Sequence, residues 1–194
     1  MKSTLLNMVL SLFGITLVAS AGVAGVYEIT KEPIAQAKRA AVELSLKNVL
    51  PEFDDNEVVS ITVDDLPVEV YTATKDGQIV GYAVQSATKL GYSGLITMMV
   101  GIDPEGELLN INILSHNETP GLGSKMTDEE NSLIKSVKGT PLTKIEGLKV
   151  KKDGGNVDAL TGATISSRAY LDAIARAYVA LVDNVLSGEG SKNE

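Results

Sequence analysis

Hydrophobic positions fall along this chain in three distinct patterns. From Leu5 to Tyr27 the sequence LLNMVLSLFGITLVASAGVAGVY is apolar and carries no charge. About 22 helical residues at about 1.5 Å each reach about 33 Å, enough for a hydrocarbon core of about 30 Å, so the run predicts one N-terminal transmembrane helix. A cleaved signal peptide is the competing reading, because Lys2 gives a basic start and Ala19-Ser20-Ala21 has the small-residue spacing of a cleavage site. The run is longer than a usual signal core and continues past that site, so a retained, single-pass anchor over residues 1–30 is expected. Ile34, Ala37, Ala41, Leu44 and Leu50 then recur between charged positions, which predicts an amphipathic linking helix within 31–56, closed by Pro51.

A second pattern, alternation, follows. Val58 to Val63, Val68 to Thr72, Ile79 to Val84, Leu95 to Ile102 and Leu108 to Leu114 read as strands. Asp76-Gly77 is a hairpin turn signal, and Asp103-Pro104-Glu105-Gly106 marks another turn. A largely antiparallel sheet is the expectation. Thr127-Asp128-Glu129-Glu130 has capping-box spacing and predicts a short helix running toward Val137.

The third pattern is helical: Leu171, Ile174, Ala175, Tyr178, Leu181, Val182 and Val185 step along one face. This C-terminal helix should start at Thr164 or just after it and close near Gly188 in a left-handed conformation. The fold class is therefore α+β, with a domain over 57–187 and a flexible polar tail over 188–194.

Composition narrows what such a domain can do. A net charge of −8 argues against a nucleic-acid partner, whose phosphates need basic surface. With no cysteine and one histidine, thiolate zinc sites, cysteine-held iron–sulfur clusters, cysteine nucleophiles and bis-histidine haem are excluded, and no metal site is expected. Redox chemistry here would need an organic cofactor. His116 beside Ser115 reads as a surface or structural histidine, and Ser93 as a loop serine, since Gly91-Tyr92-Ser93-Gly94 misses the spacing of a nucleophile elbow. No catalytic residue is assigned.

The richest stretch is Asp158-Ala159-Leu160-Thr161-Gly162-Ala163-Thr164. A helix N-terminus leaves backbone N–H groups unpaired and carries the positive end of the macrodipole. Thr164 is thus either an ordinary N-cap, worth about 1 kcal/mol, or the place where a phosphate sits, free or joined to the threonine oxygen. Upstream, His116-Asn117-Glu118-Thr119-Pro120-Gly121-Leu122-Gly123 is either a plain turn or a loop whose glycines let backbone approach a flat ligand.

The heptad resembles the D-x-x-[ST]-G-A-[ST] signature of FMN-binding domains that a flavin transferase modifies. The octet resembles the E-T-P-G-L-G loop of the same domains, and Gly91 to Ile96 their glycine-aromatic segment. Such domains occur in the G subunits of Rnf ion-translocating ferredoxin:NAD oxidoreductase complexes, the family this chain most resembles. They occur also in the C subunits of the sodium-pumping NADH:quinone oxidoreductases, an alternative on a usually longer chain. The resemblance implies an α+β FMN-binding domain and an electron-transfer component of a membrane-bound translocase rather than a stand-alone enzyme. It implies covalent FMN as cofactor, phosphoester-linked to Thr164, with Thr161, Gly162 and Ala163 forming the turn around the phosphate. Glu118, Thr119, Gly121 and Leu122 are candidates for contact with the ring or ribityl chain, and Asp158 for recognition by the transferase. Implied partners are the other subunits of the complex, the flavin transferase and membrane lipid.

The implied location is the bacterial plasma (inner) membrane, with the soluble domain on the extracytoplasmic side. Basic residues point the other way: Lys31, Lys38 and Arg39 follow the span, whereas Lys2 and the terminal amine precede it. A non-redox membrane-anchored scaffold, with a Thr-Gly-Ala-Thr helix cap and no flavin, is the competing class.

Overall fold

Five strands follow one another as neighbours, each antiparallel to the last: β1 (Asp55–Val63), β2 (Leu66–Lys75), β3 (Gln78–Gly91), β4 (Gly94–Ile102) and β5 (Leu108–Ser115). The computed structural model describes residues 4–128 and 130–186, so the tail over 188–194, the expected closure at Gly188 and Glu129 of the capping box lie outside the described residues. Two-residue hairpins at Asp64-Asp65 and Asp76-Gly77 set the first two registers, Val63 facing Leu66 and Lys75 facing Gln78. All four turn residues have positive φ, the geometry whose twist matches that of the flanking strands. The β3–β4 hairpin is equally tight: Gly91 pairs with Gly94, which leaves Tyr92 and Ser93 at its tip.

Every predicted strand is present, and β3 runs further than its apolar run suggests, through Ser86 and Thr88. Both hydroxyls are buried and bonded to the C-terminal helix α3 (Thr164–Leu181): Ser86 donates to the Ala173 carbonyl at 2.8 Å and Thr88 to Asp172 Oδ2 at 2.6 Å. Polar side chains thus pass for a strand end in sequence while lying at the sheet–helix interface.

One face of the sheet packs on α3. Val70, Val84 and Val100 form a row across β2, β3 and β4, all fully buried. The buried centre of α3 is Ala169, Tyr170, Ala173, Ala177 and Ala180 with Ile174 and Leu181. The face is therefore rotated from the predicted one: Ala175 and Tyr178 are only partly buried. Small alanines, not bulky residues, bring the helix backbone close to the sheet. After Leu181 the chain makes a π-helical turn, Val182–Leu186.

The opposite face is covered by Leu46, Val49 and Leu50 against Ala73, Ala83 and Met99. Leu46 and Val49 belong to the end of helix α1, which runs from Leu5 to Val49 through Pro33, and Leu50 follows it. Pro51 lies just beyond, where the restriction it places on Leu50 disfavours helix. The chain divides into two units between Ala41 and Val42. In the first, an 18-residue window of mean hydropathy 2.1 has none of its surface buried, so this helix is long and apolar enough to cross a membrane.

The short helix α2 spans Ser132–Val137 and ends where expected. Its start differs from the capping box: Asn131 is the N-cap, and its Oδ1 accepts from the Ile134 N–H at 2.9 Å. Thr127 instead closes the preceding 3-10 turn, donating to the Ser124 carbonyl at 2.8 Å.

Candidate functional site

Thr164 opens α3, and the N-cap position before it belongs to Ala163, which has no side-chain oxygen to offer. The capping reading of Thr164 is thereby corrected: its hydroxyl sits one residue too late to cap. The turn ahead is fixed from within. Ala163 N–H donates to the Leu160 carbonyl at 3.0 Å across Thr161-Gly162, and Gly162 has φ of 76°, as the third position of a type II turn requires. Buried Ser167 ties the same turn to the helix, its Oγ donating to the Ala163 carbonyl at 2.9 Å and accepting from the Leu160 N–H at 3.0 Å. The first amides of α3 are left without a side-chain cap, at the positive end of an 18-residue helix.

These amides border a cavity of about 540 Å³, within the ~300–1,000 Å³ typical of small-molecule and cofactor sites. Of the eight predicted site residues, Glu118, Thr119, Leu122, Gly162, Ala163 and Thr164 line it together. Thr161 and Gly121 do not: both are exposed, and the Gly121 N–H is held by Ser124 Oγ at 2.9 Å.

Glu118, besides lining the cavity, is bound within the protein. It is 4 % exposed, with Oε1 accepting from the Ser93 N–H at 2.9 Å and Oε2 accepting a short hydrogen bond from Ser166 Oγ. One carboxylate thus brackets the β3–β4 hairpin, the 116–123 loop and the first turn of α3. The bracket is tight at Gly123, where a Cβ would lie 2.7 Å from Glu118 Oε2 and 2.6 Å from Ser166 Oγ. The loop is steadied further by His116 Nδ1, which accepts from the Glu118 N–H at 3.0 Å.

Sequence reasoning missed Lys152, Ile165 and Ser166 and noted Tyr92 only as part of a segment; all four line the cavity. Lys152 Nζ donates to Thr164 Oγ1 at 3.3 Å. The signal that could have found it is the basic run Lys149-Val150-Lys151-Lys152 in an acidic chain, shortly before the heptad. Asp158 pairs with Lys151 at 2.6 Å. Arg168 grips both oxygens of Asp153 at 2.7 Å, and that hydrogen-bonded guanidinium holds the Asp153 carboxyl below the usual carboxylate range.

The cavity lining is of two chemical kinds. Helix amides, the Thr164 hydroxyl and Lys152 suit an anion. Tyr92, Leu122 and Ile165, 69, 44 and 46 % exposed, give apolar surface for a flat ring. The residues present fit a flavin mononucleotide, which is a phosphate at one end and an aromatic ring system at the other.

A family model described as FMN-binding domain matches residues 91–179, from the β3–β4 hairpin into the last turn of α3. Fold and site together define an FMN-binding domain. Over its greater length the chain is similar to proteins named as the G subunit of an ion-translocating oxidoreductase complex. That of Shewanella amazonensis is 34% identical, with 92% of this chain and 89% of the relative aligned. That of Haemophilus influenzae (strain PittEE) is 34% identical over 83% and 82% of the two chains, and that of Stutzerimonas stutzeri 37% over 77% and 69%. The chain belongs to this G-subunit family.

Proposed function

We propose that the chain is the electron-transfer flavoprotein of a membrane-bound, ion-translocating ferredoxin:NAD oxidoreductase complex, carrying FMN esterified through its phosphate to Thr164 Oγ1. The observation that carries this reading is the uncapped start of α3, which faces a cavity with a hydroxyl and a lysine beside it. A phosphodiester keeps one negative charge, and a helix N-terminus stabilises such a charge by about 0.3–2 kcal/mol. When bound, FMN supplies one- and two-electron carrier chemistry at its ring. The protein binds and orients it. The Gly162-Ala163 turn lets the phosphate reach the backbone, and Thr119 and Leu122 lie where the ribityl chain or ring would pass. Glu118 positions those segments. Tyr92, Leu122 and Ile165 leave the ring end open toward a neighbouring protein of the complex, with exposed Leu90 and Leu95 on the flanking strands.

Attachment needs a flavin transferase and an activated donor, because joining a free hydroxyl to a phosphate monoester releases water and is unfavourable in water. A donor whose FMN phosphate is part of a phosphoanhydride satisfies the balance. The Oγ–phosphorus bond forms, the anhydride bond breaks, and the hydroxyl proton leaves with the departing phosphate.

The test is mass spectrometry of the peptide covering 158–168, from wild type, Thr164→Ala and Thr161→Ala made beside the transferase. Flavin mass should be found on Thr164 in wild type and Thr161→Ala and be absent from Thr164→Ala. Since Thr164 is not the cap, its loss should cost well under the ~1 kcal/mol of a capping residue. A wild-type chain of unmodified mass would favour the scaffold.

In this reading α1 stays uncleaved in the bacterial plasma membrane, in contact with lipid, and the family resemblance puts the FMN domain on the extracytoplasmic side against the basic-residue count. The chain has no cysteine, so Glu105→Cys, in the exposed β4–β5 turn, provides a single label site. A membrane-impermeant maleimide should modify it in intact cells; protection until lysis would reverse the orientation.

A further inference from the structure

The charges around Thr164 are distributed unevenly. Asp158 is paired with Lys151, and both oxygens of Asp153 are held by Arg168, while buried Glu118 is engaged by the Ser93 N–H and the Ser166 hydroxyl. Lys152 has no ion pair within 4 Å among the described residues, and its hydrogen bond goes to Thr164 Oγ1. Apart from a secondary pull on Asp153, its positive charge meets only a neutral hydroxyl.

Its placement is built into the backbone. Lys152 sits in the 3-10 turn Lys151–Asp153, closed by the Asp153 N–H donating to the Val150 carbonyl at 2.8 Å. The turn's base is a parallel bridge between Val150 and Val157, with the Lys151 N–H on the Val157 carbonyl at 3.0 Å and the Val157 N–H on the Lys149 carbonyl at 3.1 Å. Val150 and Val157 are fully buried, and the Asp153–Arg168 fork straps the turn to α3 one turn beyond Thr164. An exposed lysine on a floppy loop would reach many acceptors; this one starts from a fixed point beside the open helix end.

We propose that Lys152 is the phosphate-binding side chain of the flavin site and a positioning residue for flavin attachment. It holds the phosphate against Thr164 Oγ1 and balances the charge that builds on the phosphorus oxygens. As the Oγ–phosphorus bond forms, the donor's anhydride bond breaks and the hydroxyl proton departs with the leaving phosphate, with no change of oxidation state. After transfer the same ammonium stays paired with the single charge of the phosphodiester. This inference rests on the reading that FMN is joined to Thr164.

The experiment uses the full-length chain, purified without flavin in detergent, with the transferase and a flavin dinucleotide as donor. Wild type, Lys152→Ala, Lys152→Arg and, as a remote loss of one charge, Lys144→Ala are followed by flavin mass on the 158–168 peptide. Loading of Lys152→Ala should slow about 10-fold or more, less than the ~10²–10³ lost with an enclosed oxyanion donor because Lys152 is exposed. Lys152→Arg should recover most of the rate, and Lys144→Ala should match wild type. In fully loaded samples the phosphorus-31 resonance of the diester should move in Lys152→Ala and not in Lys144→Ala. Wild-type loading by Lys152→Ala would overturn the proposal. So would slowed loading with an unmoved resonance, since the lysine would then serve the transferase and not the phosphate. Absence of flavin mass in wild type would instead refute the Thr164 reading itself.

Discussion

The starts of α2 and α3 differ in what answers their free amides. At α2 the answer is one asparagine: Asn131 Oδ1 accepts from Ile134, while its Nδ2 donates to the Met126 and Asp128 carbonyls at 3.0 and 2.6 Å. Every polar atom of that side chain is used, and the helix end is closed. At α3 the capping position holds an alanine, the amides border a cavity, and the nearest cation adds to the positive charge instead of relieving it. One end is finished by the chain alone; the other is left open beside a cavity, where an anion would find free donors. The difference sets a helix start closed by its own side chain against one left open beside a cavity, and it shows without reference to any motif.

The sharpest way to break the comparison is to remove the bracket that holds the open end together. Glu118→Ala leaves the Ser93 N–H and the buried Ser166 hydroxyl without their acceptor, at about 1–3 kcal/mol for each group that water cannot reach. With Ser93 near solvent, a total of about 2–3 kcal/mol is expected in urea denaturation of the full chain. Flavin loading should fall with it, because hairpin, loop and helix start would no longer be held in one arrangement. Normal stability and loading would show that the bracket is incidental.

Asn131→Ala is the matching change at the closed end. It should cost about 1 kcal/mol, the ordinary worth of a capping side chain, and leave flavin loading at the wild-type rate. A loading defect would mean that the two helix starts are not independent.

The contrast also explains what could be read in the chain beforehand. The strands were legible because alternation and the Asp76-Gly77 and Asp103-Pro104-Glu105-Gly106 turns are local signals; the Asp64-Asp65 hairpin was not read beforehand. The cavity residues Glu118, Thr119, Leu122 and Gly162 to Thr164 were marked by short motifs, and they do line one cavity. Capping was misread at α2, and at α3 the capping alternative for Thr164 does not hold. Thr-x-x-Glu spacing at 127–130 and a threonine at 164 satisfy the pattern, but a cap is defined by where the backbone leaves the helix, which differs by one to a few residues. The burial of Glu118 was also invisible, since a glutamate among Thr, Pro and Gly reads as polar surface until three segments close on it. Lys152 was hidden for a different reason: it is set apart from its neighbours by the pairing of Lys151 and Asp153 with other residues, and pairing is a property of the fold.

The smallest effect expected concerns the strap that keeps the Lys152 turn beside the open end. Hydrogen bonding from Arg168, helped by the positive charges of Lys149 and Lys152, holds Asp153 below the usual carboxylate range in the folded chain. A carboxyl lowered on folding stabilises the fold above its unfolded value, about 3.9 for aspartate, and loses that contribution as the pH drops through the lower folded value. Wild type should therefore be slightly more stable than Asp153→Asn at neutral pH, and the gap should close below about pH 4. The pair is half-exposed, so the gap should also shrink in about 1 M salt, where screening acts within about 3 Å. Urea midpoints of the two chains across pH and salt measure it. The same protonation frees the turn from α3, so the phosphorus-31 resonance of the loaded wild type should shift in that acid window, whereas the amide signals around Asn131 should not follow it. If both helix starts responded together, acid would be loosening the whole domain, and the strap would have no part in holding the open end.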